Sequence, residues 1–253
     1  MISSLILFAL KALTAFIIPA AAYIYLKRKY SARGKAFFGG VAVYVIFYCL
    51  IYAVLMAYLE VVAGVFDDME GTVVKSGITI AAETLCVAVG YLVWFKAVMK
   101  KEKQNVDGIM AGAGFSSCLM ALGYGVSAVV NAIISAIYIK NQNEGISVIF
   151  EENVAQVADS SALYHFYDLL IMLMLFITEI AFAVIFYRVL KFGDKKLWLA
   201  ASVILRMAFY AVRILDSVID KGLTIVLMLM ITVIITGATY GLIKPFVFKK
   251  DED

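Results

Sequence analysis

The sequence predicts an all-α protein, a polytopic transmembrane helical bundle of about seven spans with its N-terminus outside and its C-terminus in the cytoplasm. Three observations carry this. Of 253 residues, 64% are hydrophobic and 16% charged, against about 45–50% and about 25% in soluble domains. Apolar runs recur at about 20 residues or more, the length a ~30 Å hydrocarbon core requires. The breaks between runs alternate between strongly basic and acidic.

Taken in order, the first span covers about residues 3–26. Its "PAAA" resembles a cleavage region, but Lys11 interrupts the apolar run and the basic cluster follows rather than precedes it, so a retained span is expected. The second (36–64) ends near Glu60, and the third (78–99), "ITIAAETLCVAVGYLVWFKAVM", carries Glu83 in its interior. The fourth (108–138) opens "GIMAGAGFSS", placing Gly108, Gly112 and Ser116 four apart. Small residues at that spacing let helix backbones approach closely, which puts this span at the centre of the bundle.

A long connection follows at 139–163, where Phe150, Val154, Val157 and Ala158 keep helical spacing. It reads as a short helix at the outer interface or as an ordinary amphipathic connector. The fifth (164–190) and sixth (197–215) spans are joined by the short "KFGDKK" and should be antiparallel neighbours; the seventh covers 223–243. No internal repeat is evident, and the chain reads as one domain over 1–253.

The breaks after spans 1, 3, 5 and 7 hold most of the lysines and arginines, including Lys27, Arg28, Lys29, Lys100, Lys101, Lys195 and Lys196. The other three breaks hold only Lys75, Lys140 and Lys221. The net charge of +3 is therefore a topology signal and gives no reason to expect nucleic acid. The expected setting is the plasma membrane, with the lipid bilayer as solvent. Cys49, Cys86 and Cys118 fall inside apolar runs without a paired spacing and read as core residues.

Charges within spans are costly, so they pair, line a cavity or do chemistry. Glu179 lies 11 residues before the end of span 5 and Arg206 lies 9 after the start of span 6, at depths of ~16 and ~14 Å. An ion pair between them is the cheapest way to bury both. Glu83, counted from the start of span 3, sits only ~8 Å deep. That suggests a second cluster whose counter-charge comes from Arg213 or Lys11, with Asp168 at a similar level. Arg206, Tyr210 and Arg213 share one face of span 6. Paired structural charges explain this set; a polar cavity for a ligand or partner, lined by Glu83, Asp168, Glu179, Arg206, Tyr210 and Arg213, is the sharper alternative.

Recipes for intramembrane hydrolysis are each half missing. The single histidine, His165, excludes an H-E-x-x-H zinc site. "GFSS" with His165 is a weak nucleophile and base pair. "YHFYDLL" supplies Asp168 without a facing aspartate. Where two adjacent glutamates would activate water, the chain has Ala82 and Glu83. Neither a metal nor a cofactor is expected.

The order of spans from about Gly39 to Tyr210, with a glutamate-bearing third span, a basic loop and then "DGIMAGAGFSS", resembles the YhfC-type intramembrane proteases, relatives of the CAAX-processing and bacteriocin-processing family. The resemblance implies two adjacent glutamates, which fall on Ala82 and Glu83, and an arginine, which falls on Cys86 or Val87. It implies a histidine after "GAG", which falls on Phe115, and later polar positions near Glu179, Arg206 and Tyr210. Only Glu83 matches the implied catalytic set. The resemblance thus implies the family's fold with its water-activating groups exchanged, a catalytically degenerate relative that binds a transmembrane protein or hydrophobic peptide. An active peptidase with Glu83 as its catalytic base, and a small-solute or ion transporter, are the competing readings.

Overall fold

The computed structural model describes residues 2–63, 72–101, 104, 106–140, 162–214 and 220–247. Seven helices in it are long and apolar enough to cross a membrane. We label them α1 (Ile2–Tyr30), α2 (Gly34–Val62), α3 (Thr72–Val93, continued by Trp94–Val98), α4 (Val106–Met120, Ala121–Gly125 and Val126–Lys140 in one run), α5 (Ala162–Phe192), α6 (Leu197–Ile214) and α7 (Lys221–Val247). Among the described residues there is no strand. The interfacial helix expected in 139–163 falls almost wholly outside the described residues.

Helix ends follow their local chemistry. After α1, Ser31 adopts φ 52, and after α5, Gly193 adopts φ 76. Both are left-handed turns that stop a helix by letting the chain fold back on its last carbonyls, and glycine makes the second without strain. α2, α3 and α4 each contain π-helical turns, at Val43–Ile51 and Tyr58–Val62, at Trp94–Val98 and at Ala121–Gly125. Such wider turns shift the side chains that follow them around the helix axis and recur at functional sites.

α4 and α5 form the centre. The first half of α4 is buried almost throughout, from Asp107 to Met120, and it lies between α2 on one side and α5 on the other. Lipid gives apolar side chains no reason to leave it, so this assembly rests on close packing of small residues. A methyl group placed on Gly40 would come within 1.8 Å of the Ala111 carbonyl oxygen, and one on Gly114 within 2.0 Å of the Phe37 carbonyl oxygen. α2 and α4 thus touch backbone to backbone. On the other face of α4, a methyl on Gly112 would meet the Ile180 Cα at 2.6 Å and one on Gly108 the Tyr187 side chain at 2.9 Å. Ser116, next in that series, is buried and donates to the Gly112 carbonyl of its own helix.

α6 packs on α3, α5 and α7 and brings a polar stripe inward. Its buried positions are Ser202, Arg206, Phe209 and Tyr210, one face at helical spacing.

Candidate functional site

The inward stripe of α6 carries Arg206, whose side chain is fully buried. Its guanidinium donates through Nε to Glu179 Oε1 of α5 at 2.9 Å, through Nη2 to Glu83 Oε1 of α3 at 3.1 Å, and through Nη1 to Thr84 Oγ1 at 2.9 Å. Tyr210, one turn along α6, donates its hydroxyl to Glu179 Oε1 at 2.8 Å, and its ring centroid lies 4.6 Å from the Arg206 Cζ. Three helices are therefore tied at one point by a rigid planar fork, a geometry lysine cannot reproduce.

Within this cluster Glu179 Oε2 is buried without a hydrogen-bond partner. Glu83 is engaged through Oε1 alone, and its side chain is 11% exposed. Tyr48 and Tyr52 of α2, both half-buried, stand within electrostatic range of Glu83. They continue a stack that begins at Tyr44, with ring centroids 4.9 and 6.1 Å apart.

The structure joins Glu83 to the Glu179 and Arg206 pair and so corrects the expectation of two clusters. Glu83 takes its counter-charge from Arg206, not from Arg213 or Lys11. The depth argument fails because α3 begins at Thr72 rather than near residue 78. Eleven residues then precede Glu83, which puts it ~16 Å deep and level with Arg206.

Asp168 belongs elsewhere. It sits between Lys11 and Lys221, each 3.2 Å from one of its oxygens, and is 11 residues from Glu179 on α5, ~16 Å along the axis. Arg213 is exposed, with its Cζ 5.5 Å from the Tyr124 ring centroid, and it makes no ion pair among the described residues. Glu60 pairs with Lys75 at 3.0 Å on the surface. Thr84 and the tyrosines of α2 are the members of the site that sequence reasoning missed. The i, i+4, i+8 spacing of Tyr44, Tyr48 and Tyr52 was the available signal.

Apart from Glu83, the positions that the resemblance assigns to the glutamate pair, the arginine and the first histidine are apolar and closed. Phe115 is fully buried and packs edge-on against Tyr44 and Tyr48; Ala82, Cys86 and Val87 are buried. His165 packs on Phe8 with centroids 4.4 Å apart. It is 14 residues from Glu179 on the same helix, ~21 Å away along the axis. Among the described residues no three His, Cys, Asp or Glu side chains converge as a metal site.

A family model described as YhfC intramembrane metalloprotease matches residues 14–235. Neither the curated proteins nor the solved structures gave a match. The matched segment takes in nearly the whole of the bundle and all three helices that meet at Arg206, and on that match the chain belongs to the YhfC intramembrane metalloprotease family.

Proposed function

We propose that this chain is a non-catalytic member of its family, a plasma-membrane protein that binds a membrane-spanning partner or a hydrophobic peptide. The observation that carries the reading is the Arg206 guanidinium within hydrogen-bond distance of both buried glutamates. A metal, which the family's description implies, does not fit this donor set. A catalytic zinc takes three protein ligands, usually including imidazole, and leaves a position for water. Here the two carboxylates converge on a permanent cation that would repel a metal ion, and the one imidazole of the chain lies ~21 Å away along α5.

The test is purification from native membrane in mild detergent, with metal analysis and mass spectrometry of whatever co-purifies. The expected result is less than about a tenth of a metal ion per chain and a stoichiometric membrane protein or peptide that is lost with Arg206→Ala. One zinc per wild-type chain, or an uncleaved membrane peptide that accumulates only with Glu83→Ala, overturns the reading.

A further inference from the structure

We infer that the Glu83 edge of the cluster binds a cationic group, an ammonium or guanidinium presented at mid-membrane depth. The inference rests on the binding reading above and names the chemistry of what is bound. Its first support is charge. Two carboxyl groups, Glu83 and Glu179, share one guanidinium, so the cluster holds one acidic group more than it holds cations, in a segment where a charge is costly unless it is paired. Its second support is hydrogen bonding. Glu83 offers only Oε1 to Arg206, and its side chain is the one member of the pair that is not fully buried. Glu83 Oε2 is thus the acceptor that a ligand at this edge can meet, and such a ligand must donate.

Access selects Glu83. The Arg206 and Glu179 side chains are fully buried, while the Glu83 side chain keeps 11% of its surface exposed. Within electrostatic range of it the half-buried Tyr48 and Tyr52 rings are stacked. A carboxyl group with aromatic rings in its neighbourhood is a pairing that favours organic cations, by charge and by the ring quadrupole. Arg213 is the one other cation in electrostatic range of Glu83 from α6, and it lies seven residues from Arg206, ~10 Å along the helix, over Tyr124 rather than on the carboxylate. It leaves the edge open.

The experiment uses the full chain in phosphatidylcholine nanodiscs with two matched pairs of probes. One pair is dodecylammonium and dodecanol; the other is an oligoleucine transmembrane peptide with or without one central lysine. The wild type is expected to bind each charged probe at least tenfold more tightly than its neutral match. Glu83→Gln should abolish that preference, and Tyr52→Leu, at a half-buried position, should reduce it severalfold with the fold intact. Equal affinity for charged and neutral probes, or a preference unchanged in both variants, overturns the inference. Preference in the amine pair with no binding of either peptide leaves the cation site standing and removes the partner reading. Binding of both peptides with equal affinity does the reverse.

Discussion

At the scale of the residue, Arg206 decides whether the bundle holds. Removing one member of a buried ion pair leaves the others charged and desolvated, at a cost of about 3–5 kcal/mol. Arg206→Ala should therefore lower the unfolding free energy by about that amount, measured by denaturant titration in micelles. Arg206→Lys keeps the charge but cannot bridge Glu83, Glu179 and Thr84 at once, and should fall between the two. The triple change Glu83→Gln, Glu179→Gln, Arg206→Leu removes every charge together and should cost less than Arg206→Ala alone. If the triple variant is the less stable of the two, the cluster stabilises by net attraction rather than by mutual neutralisation. This pairing was half legible in the sequence. The matched depths of Glu179 and Arg206 follow from the short turn between α5 and α6, which fixes their register. Glu83 follows a long acidic break whose helix start the hydropathy pattern blurs, because Val73, Lys75 and Ser76 read as loop while they form the first turns of α3.

At the scale of the element, the crossing of α2 and α4 depends on the absence of side-chain atoms at two positions. The methyl group of Gly114→Ala would fall 2.0 Å from a backbone oxygen, which cannot rotate away. The helices must separate, and overpacking of this kind costs about 1–3 kcal/mol. Gly40→Ala should behave alike, whereas Gly237→Ala and Gly241→Ala, where nothing lies within 4 Å, should leave the melting temperature unchanged or slightly raised. Thermal melts of the four variants in one detergent check the contrast. Equal melting temperatures would mean that α2 and α4 do not meet backbone to backbone. The sequence pointed to small residues on α4 through Gly108, Gly112 and Ser116. A four-residue spacing picks out a single helix face, and α4 is sandwiched. Gly114 and Ala111 serve the opposite face, toward α2, and their partner Gly40 sits in a span whose hydropathy alone gave no reason to single it out.

At the scale of the whole molecule, the seven spans and their order were legible because hydropathy reports length in a membrane directly. The π-helical turns were not, since they change the facing of side chains without changing their polarity. The basic breaks also converge in space: Lys35 from the start of α2 donates to the Val98 carbonyl at the end of α3, and Lys191 at the end of α5 donates to the Met99 carbonyl. Three of the four basic breaks thus share one end of the bundle, as they must if a single leaflet is to hold them. By the positive-inside rule that end is expected in the cytoplasm, and a seventh span would then leave the C-terminus on the same side. A fluorescent protein fused after Asp253 should be bright and alkaline phosphatase fused there inactive, while phosphatase inserted at Asn143, in the acidic break, should be active. The reverse pattern would turn the bundle over. Glu83 would stay at mid-depth in either orientation, because ~16 Å of helix separates it from the start of α3. A membrane-spanning partner, as proposed for this chain, would meet Glu83 at that depth by its own geometry.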